Sequence, residues 1–271
     1  RQMNQVAVYE GSGSGALAFK SSAPVGPGAR DVAAGDVDRD GRIDLVAANA
    51  GGGSVSVLRG DGTGAFATQN AVVTGGTPAR LALVHLDRDG ALDLAIVDEG
   101  GPLPRLVAFR GKADFPEAFD PTAFDSVLAA PSAPRGLATG DFTSDGQADL
   151  VTAFFGPDQA VVVPNLYASS CTRASFAGAP RSYAIGDGPV GSVAADFDDD
   201  GRRDLAVATV NDSRVWVLKS GATGFVTGSF TDVSPPPKGL ATADFNFDGK
   251  ADVVVVLSDN TASSGAVQVL L

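Results

Sequence analysis

The stretch GDVDRDGRIDLVAAN, residues 35–49, joins an acidic loop to the start of a β-strand pattern. Its nine-residue loop, DVDRDGRID, recurs four more times at intervals of about 50 residues, a period typical of repeat architectures. The five copies, loops one to five, occupy residues 36–44, 85–93, 141–149, 196–204 and 244–252. The later copies read HLDRDGALD, DFTSDGQAD, DFDDDGRRD and DFNFDGKAD.

Apolar runs flank every loop. Loop one lies between residues 32–35 and 45–47, and two such runs joined by a glycine-containing loop predict a β-hairpin. A third apolar run follows in each repeat, as at residues 55–58, and a more variable fourth segment comes after it. Because no stretch has a 3.6-residue apolar period, almost no helix is expected.

Four short antiparallel strands per repeat predict an all-β fold, a β-propeller of four-stranded blades. A solenoid or an array of sandwiches is the alternative. We predict a single domain over residues 1–271, with five complete repeats, each carrying one acidic loop, preceded by a half-repeat. The predicted boundaries are 1–27 for the half-repeat, then 28–76, 77–131, 132–188, 189–234 and 235–271.

The ends of the chain are out of phase with the repeat. Residues 6–19 align with residues 55–66, so the chain opens with a third and a fourth strand, and it stops after a third strand. Two hypotheses follow from this phase. Either the N-terminal strand completes the last blade, or the chain is a piece of a longer propeller, which the spare third strand favours.

Oxygen-bearing side chains at positions one, three, five and nine predict that the loops bind calcium, which takes 6–8 oxygen ligands. The glycine at position six permits a tight bend, and the backbone carbonyl of position seven completes the ligand set. The predicted ligands are Asp36, Asp38, Asp40, Arg42 and Asp44 in loop one; Asp87, Asp89, Ala91 and Asp93 in loop two; Asp141, Thr143, Asp145, Gln147 and Asp149 in loop three; Asp196, Asp198, Asp200, Arg202 and Asp204 in loop four; and Asp244, Asn246, Asp248, Lys250 and Asp252 in loop five.

The five loops should differ in affinity. Loops one and four carry four carboxylates and should bind most tightly, whereas Thr143 is a weaker ligand. His85 opens loop two with a poor calcium ligand, so this loop is predicted to be weak or empty, giving about four to five ions in all. An EF-hand fails because position twelve of loop one is Ala47, in a strand pattern. Magnesium fits less well, and plain Asx-Gly turns are the remaining alternative.

The formal net charge of −12 makes nucleic acid and anionic membranes poor partners. Cys171 is the only cysteine, which excludes an internal disulfide, and the sequence does not define its role. The sequence contains no run of 18 apolar residues, so no membrane-spanning helix is predicted. Calcium loops of moderate affinity fill more readily where calcium is abundant, so we expect an extracellular or cell-surface location, with the periplasm as an alternative.

The loops with their flanks, such as VAAGDVDRDGRIDLVAAN and GLATADFNFDGKADVVVV, resemble the FG-GAP/VCBS repeats of integrin-α-like β-propellers. The resemblance covers nearly the whole chain and implies calcium at the positions named above. The Phe-Gly and Gly-Ala-Pro signatures survive only as Phe155-Gly156-Pro157, so the chain resembles the bacterial VCBS branch more than the integrin head. Integrin partners are therefore not carried over.

Family members are mostly extracellular recognition or adhesion modules, and some related propellers bind sugars or accompany polysaccharide-degrading enzymes. We therefore expect a non-enzymatic module that binds a protein or glycan ligand on a propeller face, with further blades or domains of a longer chain as other partners. A carbohydrate-binding lectin or a polysaccharide lyase or hydrolase is the alternative. Tyr167 and Tyr183 are the lectin candidates, whereas Trp216 is expected to pack between blades. The long inserts at 98–105, 114–131 and 168–188 are candidate binding loops.

Overall fold

The computed structural model describes residues 4–13, 15–100, 104–112, 118–129, 134–166, 175–176, 178–222, 224–258 and 265–271, without the side chains of residues 69–70, 121–127, 129 and 227. Across these residues the structure contains strands and turns and no helix, hence no helix suited to crossing a membrane. The chain divides into two compact units, Arg1–Ala129 and Ala130–Leu271. The single domain and the repeat boundaries proposed from the sequence stay predictions.

The first unit contains a two-stranded hairpin and two four-stranded antiparallel sheets. The hairpin comprises β1 (Gln5–Gly11) and β2 (Leu17–Pro24). Sheet one comprises β3 (Ala29–Gly35), β4 (Asp44–Asn49), β5 (Ser54–Gly60) and β6 (Phe66–Val73). Sheet two comprises β7 (Pro78–Val84), β8 (Asp93–Asp98), β9 (Arg105–Gly111) and β10 (Phe119–Ala129).

The second unit contains two four-stranded sheets and one three-stranded sheet. Sheet three comprises β11 (Pro134–Gly140), β12 (Asp149–Phe154), β13 (Gln159–Val163) and β14 (Arg181–Ala184). Sheet four comprises β15 (Pro189–Ala195), β16 (Asp204–Thr209), β17 (Arg214–Gly221) and β18 (Gly224–Asp232). Sheet five comprises β19 (Pro237–Ala243), β20 (Asp252–Ser258) and β21 (Gly265–Leu270).

Each sheet is an antiparallel meander in which consecutive strands are hydrogen-bonded neighbours, the arrangement of a propeller blade. The prediction of an all-β β-propeller is confirmed. The hairpin has the place of the predicted half-repeat, and sheet five ends after its third strand, as the sequence phase indicates.

The second strand of each blade is the most deeply buried. All six residues of β8, β12 and β16 are buried, which is expected of a strand covered on both faces. The first strands are packed side by side within each unit, with β3 against β7, and β15 against both β11 and β19. The interior of each unit is aliphatic, with side chains such as Val46 and Ile96 in the first and Val151 and Leu205 in the second. Because each buried Val, Leu or Ile contributes about 1.5–3 kcal/mol, these layers fix the hairpins that carry the loops.

Two segments expected to be inserted loops each contain a strand. Residues 168–188 include β14, the outer strand of sheet three, which pairs with β13. Residues 114–131 include β10, the outer strand of sheet two, which pairs with β9 through several register shifts. Pro121 obscures this strand in the sequence, because proline removes a backbone donor. An edge strand tolerates that loss on its unpaired side.

Candidate metal centres

The five acidic loops occupy the same place in five sheets. Each follows the first strand and ends on the first residue of the second strand, so position nine is both a loop and a strand residue. Position nine is at most 2% exposed in every copy. The residues at this position are Asp44, Asp93, Asp149, Asp204 and Asp252.

The position-nine carboxylate joins three segments of its sheet. One oxygen of Asp44 accepts from the Val37 backbone N–H at 3.0 Å, and the other accepts from the Gly60 N–H at 2.9 Å. Asp93, Asp149 and Asp204 repeat both bonds, and Asp252 repeats the first with Phe245. This carboxylate therefore ties the loop to the end of the third strand in sheets one to four.

The position-one aspartate shapes the loop in four copies. The two oxygens of Asp36 accept from the backbone N–H groups of Asp40 and Gly41, at 3.1 and 2.9 Å. Asp141, Asp196 and Asp244 make the same pair of bonds. The loop is folded around its first carboxylate by these bonds.

Backbone geometry supports the same division of four loops against one. Position four has a positive φ in loops one, three, four and five, at Arg39, Ser144, Asp199 and Phe247, with φ between 59° and 61°. Arg88, at position four of loop two, is absent from the positive-φ residues. One hydrogen bond is common to all five loops. The carboxylate of position five accepts from the backbone N–H of position seven, as Asp40 does from Arg42 at 2.9 Å. We call the hydrogen bonds accepted by positions one, five and nine, together with the positive φ at position four, the loop frame. Loop two has the bonds of positions five and nine and lacks the other two features.

The donor sets of loops one and four suit a hard divalent cation. Carboxylate oxygens of Asp36, Asp38 and Asp40 lie within 4.8 Å of one another, and the same holds for Asp196, Asp198 and Asp204. Two or three carboxylates at this separation repel one another unless a cation offsets their charge. These acidic clusters could therefore hold a metal ion.

Loops three and five have a neutral oxygen ligand at position three. The Thr143 hydroxyl oxygen is buried in loop three, and the Thr143 backbone N–H donates to Asp149 at 3.0 Å. This oxygen is a neutral ligand that a cation could bind. The Asn246 carbonyl oxygen accepts from the Asp248 N–H at 2.8 Å. Position seven is occupied by Arg42, Ala91, Gln147, Arg202 and Lys250. Within the part of the chain that the structure describes, a contact of this backbone carbonyl is identified only for Ala91. The role of these carbonyls as ligands stays a prediction.

A basic residue near the end of the third strand faces the carboxylates in three sheets. Arg59 lies 3.0 Å from Asp38 and 3.0 Å from Asp40, and Lys219 lies 3.1 Å from Asp198. Arg110 has the same place in sheet two. Sequence reasoning missed these residues, although Arg-Gly, Arg-Gly and Lys-Ser after the third apolar runs were the available signal.

Sheet three has Pro164 at that place, and a cavity of about 450 Å³ lies beside loop three. Thr143 and Asp145 of the loop line this cavity together with Pro164, Leu166, Pro180 and Arg181. The outer side of loop three is therefore open to a small ligand, with a guanidinium group and apolar surface nearby.

Loop two departs from the common frame at its first residue. His85 cannot accept the two backbone N–H groups that an aspartate accepts, and its Nδ1 lies 2.8 Å from the carbonyl oxygen of Ala91. Arg110 contacts both Asp87, at 3.3 Å, and Asp89, at 2.9 Å. The side chain of Asp87 is completely buried.

Burial raises the pKa of the position-nine carboxyls. Desolvation is the largest cause, and it outweighs the backbone hydrogen bonds, which act in the opposite direction. The pKa of Asp93 and that of Asp149 rise to about 6. The pKa values of Asp44 and Asp204 are raised as well.

These raised pKa values predict a pH dependence of stability in calcium-free buffer. Between about pH 4 and pH 6, folded Asp149 keeps a proton that the unfolded chain releases, so the free energy of unfolding should fall as pH rises through this window. The expected loss is up to about 3 kcal/mol per residue. Urea titrations at several pH values give the free energy of unfolding as a function of pH. This free energy should fall less steeply with rising pH in Asp149→Asn than in the wild type. The exposed control Asp199→Asn should keep the wild-type slope, and equal slopes for all three proteins would contradict the prediction.

The structure describes two of the four aromatic and thiol residues singled out in the sequence. Cys171 and Tyr167 lie outside the described residues. Tyr183 is partly buried and packs edge-on against Phe225, with ring centroids 5.2 Å apart, a position unlike that of a sugar-stacking platform. Trp216 packs on Phe230 at 5.0 Å, next to Gly186 in the segment between sheets three and four.

Comparisons with solved structures indicate the fold alone. The structure of BBS1N in complex with ARL6DN matches with a TM-score of 0.57 and 17% identity, over 97% of this chain and 65% of that one. A luciferin-regenerating enzyme matches with a TM-score of 0.58 and 14% identity, over 100% and 85% of the two chains. The chain thus spans less than two thirds of BBS1N. No curated protein matches.

A family model provides the assignment. The model of the FG-GAP-like repeat matches residues 1–47, 36–96 and 175–255, which together are more than half of the chain. Loops one, two, four and five fall within the matched residues. The chain belongs to the family of FG-GAP-like repeat proteins.

Proposed function

We propose that this β-propeller is an extracellular, non-enzymatic recognition module whose blade hairpins are fixed by calcium. The observation that carries the proposal is the hydrogen-bond frame shared by loops one, three, four and five. In loops one and four this frame accompanies three carboxylates whose oxygens lie within 4.8 Å of one another. Position-three Asp, Thr or Asn, the other loop carboxylates and the position-seven carbonyl would hold each ion.

Calcium would supply positive charge in loops whose carboxylates otherwise repel one another. The chain's own residues then position the ion: position one folds the loop, and position nine anchors it to the sheet. Oxygen-only donors favour a hard cation, and the irregular mixture of Asp, Thr and Asn fits calcium better than strictly octahedral magnesium. The formal charge of −12 is consistent with this role, since bound divalent cations would offset much of it.

A non-enzymatic role is supported by the small number of catalytic side chains. His85 is the only histidine of the sequence, and it contacts a loop carbonyl. The described acidic residues outside the loops form structural contacts in several cases, such as Glu99 with Arg30 at 2.8 Å. Recognition of a protein or a glycan by the exposed surfaces therefore remains the function that the geometry supports best.

Carbohydrate binding is the second candidate, and the cavity beside loop three favours it. A cavity of about 450 Å³ with an arginine, loop oxygens and apolar residues has the size and chemistry of a site for one or two sugar units. Pro164 leaves that side open where sheets one, two and four have a basic residue.

Arrays of glycans and extracellular proteins, probed with labelled protein in calcium and in EGTA, test the proposal. We expect calcium-dependent binding without turnover of the bound glycan. Pro164→Arg should abolish glycan binding if the cavity is the site, and it should leave the number of bound calcium ions unchanged. Release of cleavage products would instead indicate an enzyme, and absence of calcium binding would contradict the metal assignment.

A further inference from the structure

Loop two combines three features that the other loops lack. Its position one is His85, its position four lacks the positive φ, and an arginine from a neighbouring loop contacts its backbone. These features change both the charge and the backbone shape of the loop. The loss of one ligand alone would leave the remaining carboxylates repelling one another.

His85 is hydrogen-bonded to the backbone carbonyl that is predicted to bind the cation. Nδ1 lies 2.8 Å from Ala91 O, so Nδ1–H donates to the position-seven carbonyl, which belongs to the predicted ligand set. The same substitution removes the position-one carboxylate. Loop two therefore has no carboxylate at position one, and its position-seven carbonyl already accepts a hydrogen bond.

Arg110 lies where positive charge is required. Its guanidinium group is 3.3 Å from Asp87 Oδ2 and 2.9 Å from Asp89 Oδ2, and Asp87 is buried away from water. A buried carboxylate needs a paired positive charge, and arginine provides it in a fixed planar geometry. Arg59 makes comparable contacts in loop one, so Arg110 by itself does not set loop two apart.

The second guanidinium group comes from loop one. Arg39 Nε donates to Gly90 O at 3.0 Å, and its Nη2 donates to Asp89 O and lies 3.9 Å from Asp89 Oδ1. Arg39 reaches loop two from the positive-φ position of loop one. Loop two is thus contacted by two arginine side chains, which offset two of its three carboxylate charges.

We propose that loop two takes no cation, because Arg110, Arg39 and His85 together replace it. The hairpin of sheet two is then stable without calcium, while the hairpin of sheet one depends on it. This inference rests on the proposed function, since it presupposes that the other loops bind calcium.

Equilibrium dialysis of the full chain with calcium alone tests the inference through matched variants. Asp38→Ala removes the position-three oxygen of loop one and should lower the number of bound ions by one. Asp87→Ala, at the same position of loop two, should leave that number unchanged. A loss of one ion in Asp87→Ala would overturn the inference. If wild type binds no calcium, the proposed function fails and the inference fails with it.

Two arginine variants add a readout of stability. Arg110→Met should lower Tm by about 5–10 °C equally with calcium and with EGTA, because no ion replaces the lost charge. Arg59→Met should lower Tm in EGTA and keep most of the wild-type Tm in calcium, because the ion neutralises the same carboxylates. Recovery of Arg110→Met by calcium would overturn the inference. Should Arg110→Met fail to fold, Arg110→Gln, which removes the charge and keeps hydrogen-bonding groups, serves instead, with the same two conditions.

Discussion

Asp204→Ala is expected to lower the free energy of unfolding by about 2–4 kcal/mol in calcium-free buffer. Asp204 is fully buried, and its two oxygens accept from the backbone N–H groups of Phe197 at 3.0 Å and Ser220 at 2.7 Å. Alanine leaves both donors buried without a partner, at a cost of about 1–3 kcal/mol each. Burial also raises the pKa of Asp204, so removal of the carboxylate relieves part of that cost. The lost hydrogen bonds outweigh this relief because they fix two separate segments.

Chemical denaturation of Asp204→Ala beside Asp199→Asn checks this prediction. Asp199 is in the same loop and is exposed, and asparagine tolerates its positive φ, so this replacement should change the free energy of unfolding by less than about 0.5 kcal/mol. Asp204→Asn should fall between the two, because the amide oxygen still accepts one hydrogen bond. Equal stabilities of Asp204→Ala and Asp199→Asn would contradict the anchoring role of position nine.

Removal of calcium with excess EGTA is expected to lower Tm by more than 10 °C. A ligand bound only to the folded chain at about 100 times its Kd contributes about 2.7 kcal/mol, and four occupied loops multiply this effect. The loss is largest in the loops with most carboxylates, because their repulsion reappears when the ion leaves.

Thermal melts in millimolar calcium, in EGTA and in EGTA with millimolar magnesium distinguish stabilisation by calcium from stabilisation by any divalent cation. Magnesium should restore little of the lost Tm, because it retains its water ligands and requires octahedral geometry. Raising sodium chloride in the EGTA sample controls for general screening of the negative charge. Superimposable melts in calcium and EGTA would show that the loops are plain turns.

Much of this molecule can be predicted from local sequence. The alternation of apolar runs with the Asp-rich loop determines the hairpins, because strand pattern and turn chemistry act over a few residues. The start of β4 at Asp44 and of β20 at Asp252 follows directly from the ninth loop position. The spacing of the repeats determines the number of loops, and the resemblance of their flanks gives the family.

Contacts between distant segments could not be predicted in this way. Three kinds of contact depend on which strands and sheets become neighbours. They are the hydrogen bond from the Gly60 N–H to Asp44, the arginine or lysine near the end of the third strand in sheets one, two and four, and the contact of Arg39 with loop two. The fourth strand of sheet two was missed because its proline weakens the local signal, while β9 supplies the pairing that stabilises it.

By itself, the sequence determined the β-propeller repeat, the five loops and their oxygen donors, because strand periodicity and ligand spacing are local properties of the chain. Only the tertiary structure decided which loops share one hydrogen-bond frame, where cationic side chains face the carboxylates and where a cavity stays open. These depend on packing between strands far apart in sequence, where burial and charge compensation act through space.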